Sequence, residues 1–119
     1  MGVPRPHRAT RAVEHMTEWI DAGPSEPTHP DEVRTLTHDG QLLAVAHTEG
    51  RWYAFDDVCP HHDCPLADGY LSGTTIECDC HGSIFELTTG QVRRGPATSP
   101  IAVHEVDTHD GRLRICVQG

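Results

Sequence analysis

Between residues 59 and 81 the chain gathers sulfur and imidazole into two short runs, Cys59-Pro60-His61-His62-Asp63-Cys64 and Cys78-Asp79-Cys80-His81. Written as a pattern this is C-x-H, sixteen intervening residues, then C-x-x-H, followed at once by Gly82-Ser83. Thiolate and neutral imidazole are side chains that hold transition metals, and each run offers at least one of each. Cys59, His61, Cys78 and His81 could close a tetrahedral zinc site or hold an iron–sulfur cluster. The zinc alternative leaves Gly82-Ser83 and a later Gly95-Pro96-Ala97 loop without a role. His62 is read as a solvated loop residue beside His61. His38, His47, His104 and His109 fall in turns or strands without paired ligands and are read as surface residues, and Cys116 as a lone thiol in a strand.

A chain of 119 residues corresponds to one domain. At this size only about two-thirds of the unfolded surface is buried, so cross-links or a metal help to keep the fold. Nine Arg, no Lys and 18 acids give a net charge of -9, which repels a phosphate backbone and argues against nucleic acid. The charge is uneven. Residues 1–16 carry three Arg and one Glu, +2, and residues 17–119 six Arg and 17 acids, -11; the first segment is read as an N-terminal arm outside the fold. Its arginines have no apolar stretch behind them, so no secretory signal is read. The longest apolar run, Leu42–Ala46, is five residues, against the roughly 18 that cross a bilayer. No membrane contact and a cytoplasmic location are expected.

The elements that position the two runs read as strands. From Thr17 on, Gly, Pro and Asp-Gly recur at short intervals with apolar alternation between them, and no convincing helix is seen. Val33–Thr37 and Gln41–Thr48 flank His38-Asp39-Gly40, Thr48-Glu49-Gly50 leads into Arg51–Phe55, and Ile101–Asp107 and Arg112–Val117 flank His109-Asp110-Gly111. These are consecutive hairpins. In the last strand Leu113, Ile115 and Val117 share one face, as in a half-buried strand. The irregular stretch between the hairpins, about 56–97, is where function is expected.

The paired loops with this spacer resemble the signature of the Rieske iron–sulfur proteins. The likeness continues through Phe85, Thr89-Gly90 and Gly95-Pro96-Ala97 and back to Trp52-Tyr53-Ala54-Phe55, covering most of residues 17–119. It implies an all-β fold, an antiparallel sheet base with an inserted small cluster-binding subdomain. It also implies one [2Fe-2S] cluster with Cys59 and Cys78 on one iron and His61 and His81 on the other. Two thiolates cancel the formal charge of two ferric ions and two sulfides, so such a cluster is neutral when oxidised, and adding an electron is easier than at an all-cysteine site.

In respiratory and photosynthetic relatives the additional cysteines, here Cys64 and Cys80, form a disulfide between the loops. The alternative is two thiols packed as small apolar groups, favoured by a reducing compartment. Around the cluster the resemblance implies Ser83, Phe85, Gly95 and Pro96. High-potential members carry Gly-Ser-x-Tyr after the last ligand. Here Gly82-Ser83-Ile84-Phe85 lacks the tyrosine hydroxyl, which implies the lower half of a range of roughly -150 to +300 mV.

The length leaves no room for a mononuclear-iron domain, so the resemblance implies a soluble electron carrier with no active site of its own. It is similar to the ferredoxin components of multicomponent oxygenases, which pass electrons from a flavin-containing ferredoxin reductase to a terminal oxygenase. The small subunit of assimilatory nitrite reductase is the alternative within the fold, and a structural or sensing zinc module the alternative outside it. Asp56, Asp57, Asp63, Asp68, Glu77, Asp79 and Glu86, with no Lys or Arg between 56 and 86, predict a negative ring around the cluster.

Overall fold

A computed structural model describes residues 17–60 and 64–118. The expected N-terminal arm, residues 1–16, lies outside the described residues, as do His61, His62 and Asp63.

Ten strands occur in the described residues: β1 (Thr17–Pro24), β2 (Glu32–His38), β3 (Gln41–Thr48), β4 (Arg51–Asp56), β5 (Tyr70–Ser72), β6 (Thr75–Glu77), β7 (Ile84–Glu86), β8 (Val92–Arg94), β9 (Val103–His109) and β10 (Arg112–Gln118). One 3-10 turn occurs among the described residues, Leu66–Asp68, after the first Cys/His run, and no described helix is long and apolar enough to cross a membrane. The base is a six-stranded antiparallel sheet ordered β1-β10-β9-β4-β3-β2, and a four-stranded sheet, β5-β6-β7-β8, forms the inserted part.

The three expected hairpins are present because their turns suit the strands' twist. Asp39-Gly40, Glu49-Gly50 and Asp110-Gly111 all have positive φ at both positions, the two-residue primed turn that lets antiparallel strands continue without splaying. The strand expected at Ile101–Asp107 instead starts at Val103 and runs to His109. Ile101 and Ala102 are taken by loop contacts, since the Ile101 N–H donates to the Gly90 carbonyl and the Ala102 carbonyl accepts the Asp56 N–H. β1 has a Gly-Pro end and a polar sequence, and it is a strand because it pairs with β10 from Thr17↔Gln118 onward.

The run Leu42–Ala46 is apolar on consecutive positions because β3 is covered on both faces. Leu43 and Val45 pack with Ala22, Ala54, Leu113, Ile115 and Val117 inside the base. Ala44 and Ala46 face the other way, onto a second core with Phe55, Leu66, Ile76, Phe85 and Leu87. The small sheet is therefore seated on the back of β3 and β4, and Cys59 and Cys78 belong to that second core.

The β1–β2 connection is held by Arg34, whose Nη1 donates to the carbonyls of Ala22 (2.9 Å) and Pro24 (2.7 Å). Its Nε donates to Glu32 at 2.8 Å, and its guanidinium lies over the Trp52 ring at 4.5 Å. Cys116 is buried between β1 and β9, and burial pushes its thiol up.

His104 corrects the surface reading. Its side chain is 6% exposed, and its Nε2 meets Asp56 Oδ1 at 2.8 Å. Gln41 donates to the same oxygen. His47 stacks edge-on against Trp52 and reaches the Pro30 carbonyl, whereas His109 stays at the surface.

Candidate metal centre

The first loop, residues 59–64, leaves β4, and the second, residues 78–83, joins β6 to β7. Both are closed in the same way. The Cys59 N–H donates to the Cys64 carbonyl at 2.8 Å, and the Cys78 N–H donates to the Ser83 carbonyl at 2.7 Å. Each loop thus places a cysteine first, with the backbone returning on itself five residues later. Gly82, at φ 81°, allows the second loop to turn, and its N–H donates to the Cys78 carbonyl at 3.0 Å.

Cys59 and Cys78 are each 1% exposed, whereas His81 stands exposed at the tip. His61, the fourth candidate ligand, lies outside the described residues. Cys64 and Cys80 are joined in a disulfide with a Cα–Cα distance of 6.5 Å, which ties loop to loop. Among the described residues, Cys59, Cys78 and Cys116 keep their thiols outside any disulfide.

A third segment closes over the pair. Ser83, fully buried, accepts the Ala97 N–H on its Oγ at 2.9 Å. The hydroxyl hydrogen of Ser83 remains available as a donor. Gly95 and Pro96, joined by a cis peptide bond, are exposed just before Ala97. Phe85 is fully buried in the core that contains both cysteines.

Two supports were not legible in the sequence. Asp57 is buried, and its Oδ1 accepts the Ala67 N–H at 2.7 Å, anchoring the 3-10 turn after the first loop. Burial pushes its carboxyl up, opposed by the hydrogen bonds from Ala67 and Leu66. Tyr70, exposed, donates its hydroxyl to Asp79 Oδ1 at 2.8 Å, and this bond raises the phenol. Close approach fixes Gly69 as well, since a Cβ there would run into the Glu77 carbonyl.

The negative ring needs correction. Asp68 and Asp79 are exposed, but Asp57 points into the fold and Asp56 is engaged by His104 and Gln41. Glu86 is half-buried and faces Arg93 at 3.4 Å. Asp63 lies outside the described residues.

Two sulfurs sealed from water and an imidazole at the surface, on loops facing one core, suit a cluster with a thiolate iron inside and an imidazole iron outside. The family model of the Rieske [2Fe-2S] domain matches residues 18–107. The chain is 34% identical over 98 residues to the ferredoxin component of a naphthalene 1,2-dioxygenase system from Pseudomonas putida, with 82% of this chain and 94% of that protein covered.

A chain in the structure of the complex of reduced oxygenase and oxidized ferredoxin in carbazole 1,9a-dioxygenase superposes with a TM-score of 0.80 at 30% identity, covering 85% of this chain and 95% of that one. A putative NADH-dependent nitrite reductase small subunit from Mycobacterium tuberculosis superposes with a TM-score of 0.76 at 17% identity, over 87% of this chain and 97% of that one, and shares the fold. The chain belongs to the Rieske [2Fe-2S] family. It is accordingly a protein of one [2Fe-2S] cluster.

Proposed function

We propose that the chain is the ferredoxin of a multicomponent aromatic-ring oxygenase system, taking single electrons from a flavin-containing reductase and passing them to a terminal oxygenase. The observation that carries this reading is the burial contrast between the cysteines at 1% exposure and the exposed His81. In this reading Cys59 and Cys78 hold one iron and His61 and His81 the other. The cluster supplies a reversible one-electron couple.

The protein's own groups set the conditions for that couple. The core around Cys59 and Cys78 keeps water from the sulfurs, while His81 offers a partner a short path at the surface. Ser83, with its lone pair engaged by Ala97, has its hydroxyl hydrogen free to stabilise a sulfur, and Phe85 offers none. Exposed Asp68 and Asp79 favour partners with basic faces, so encounter-limited transfer should slow as salt screens charges beyond about 8 Å. Likeness to the ferredoxin components over nearly their whole length supports this reading above the nitrite reductase one, which has the fold alone behind it.

The test is transfer itself. The purified protein should be red-brown with about two irons and two acid-labile sulfides. A flavoprotein reductase with a nicotinamide should reduce it, and a terminal oxygenase of the aromatic-ring class should reoxidise it. Colourless protein holding zinc, or a reduced cluster that no such oxygenase reoxidises, overturns the proposal.

A further inference from the structure

A third sulfur stands beside the disulfide. The Sγ atoms of Cys64, Cys78 and Cys80 all lie within 4.8 Å of one another. Two are joined to each other, and the third belongs to buried Cys78. Cys80 is exposed and Cys64 half-buried, so a small reductant can reach the bond. A water-soluble phosphine cleaves it with balanced chemistry: phosphorus is oxidised to the phosphine oxide with the oxygen of one water, whose two hydrogens go to the two sulfurs.

Zinc holds thiolates at about 2.3 Å in a tetrahedron, which sets its sulfurs roughly 3.8 Å apart. Sulfurs already within 4.8 Å of one another reach that spacing with small side-chain rotations once the S–S bond is open. Asp79, exposed between Cys78 and Cys80 in the chain, adds negative charge beside these sulfurs, so a cation is favoured over three uncompensated thiolates.

We propose that reduction of the Cys64–Cys80 disulfide creates a three-thiolate site, Cys64, Cys78 and Cys80, for one thiophilic divalent cation of the zinc class, its fourth position taken by water. Three thiols give up three protons as the metal binds. Cys78 belongs to this set and to the cluster set, so the two metals exclude each other. That exclusion rests on the ligand assignment proposed above, whereas the site itself does not. The disulfide then has a second task beside bracing: it withholds two thiolates from a competing metal.

The full-length protein as isolated is incubated with the phosphine, with zinc sulfate, or with both, then desalted and assayed for iron and zinc. Both reagents together should displace the iron and leave about one zinc per chain, and either alone should leave the iron in place. Cys64→Ser and Cys80→Ser, their fold checked by the cluster's visible spectrum before treatment, should retain no zinc, and Cys59→Ser should retain it. Without any variant, iodoacetamide should label Cys64 and Cys80 in the phosphine-treated protein before zinc is added and fail to label them after zinc.

Zinc held with the disulfide intact, zinc kept by Cys64→Ser but lost by Cys59→Ser, or no zinc after reduction each overturns the proposal. Zinc lost by Cys64→Ser and Cys80→Ser and kept by Cys59→Ser, while Cys59→Ser still holds its cluster before treatment, would sustain this site and fail the cluster assignment instead.

Discussion

The loops at 59–64 and 78–83 are closed by the same kind of hydrogen bond and are held by different means. In both, the leading cysteine donates its N–H to the carbonyl five residues on and is buried to the same degree. The second loop is gripped on both sides by the small sheet, since β6 pairs with β7 from Thr75↔Glu86 to Glu77↔Ile84. The first loop has β4 on one side only and continues into a 3-10 turn held through Asp57. The same burial and closure behind a leading cysteine is thus reached once through a backbone ladder and once through individual side chains. Ladder bonds are many and share a disturbance, whereas a loop whose following turn hangs on one carboxylate feels the loss of that one group.

The largest expected effect tests the equivalence itself. Cys59→Ser and Cys78→Ser should each abolish cluster binding, read as loss of iron and visible absorption, because either change removes a sulfur from the same iron in the proposed set. A cluster retained by one of the two variants would break the symmetry.

Next comes the asymmetry of support. Cys64→Ser opens the cross-link between the loops and should cost about 3 kcal/mol in thermal or denaturant unfolding. Asp57→Ala should cost about 1–3 kcal/mol by leaving the Ala67 N–H without its acceptor, with faster amide exchange in residues 64–68 and little change in β6 and β7. Asp57→Asn keeps an acceptor oxygen and should recover most of the loss. Equal exchange in both loops would show that the first is not the more dependent one.

Electronic effects on the second loop are smaller. Ser83→Ala should lower the reduction potential and Phe85→Tyr raise it, while Phe85→Leu changes it little. Two potentials indistinguishable from the parent would leave Ser83 only its bond to Ala97.

The smallest expected effect lies away from both loops. The hydrogen bond from Arg34, helped by the Thr28 N–H, pulls Glu32 from 4.5 to about 2. A carboxyl with a folded value below its unfolded one adds stability that is complete above about 4.5 and is lost as pH falls toward about 2. Thermal melts between those limits should show a pH-dependent loss that Glu32→Gln reduces. Other carboxyls pulled down by arginines, Asp21 and Asp107 among them, leave a residual slope.

By itself the sequence determined the features whose causes are local. Asp-Gly and Glu-Gly punctuation placed three hairpins because two residues of positive φ suffice to turn a strand pair. The spacing of Cys59, His61, Cys78 and His81 marked the two loops because each is a short contiguous run. Tertiary structure decided what depends on residues far apart in the chain. Asp56 and His104, 48 positions apart, become a shielded pair. Alternate residues of β3 serve two cores because the small sheet lies on its outer face. Asp57 turns from a surface acid into an anchor because Ala67 folds back over it. The nearness of Cys78 to the Cys64–Cys80 sulfurs likewise arises only when both loops meet over one core, since no run of residues records the distance between two loops that a sheet brings together.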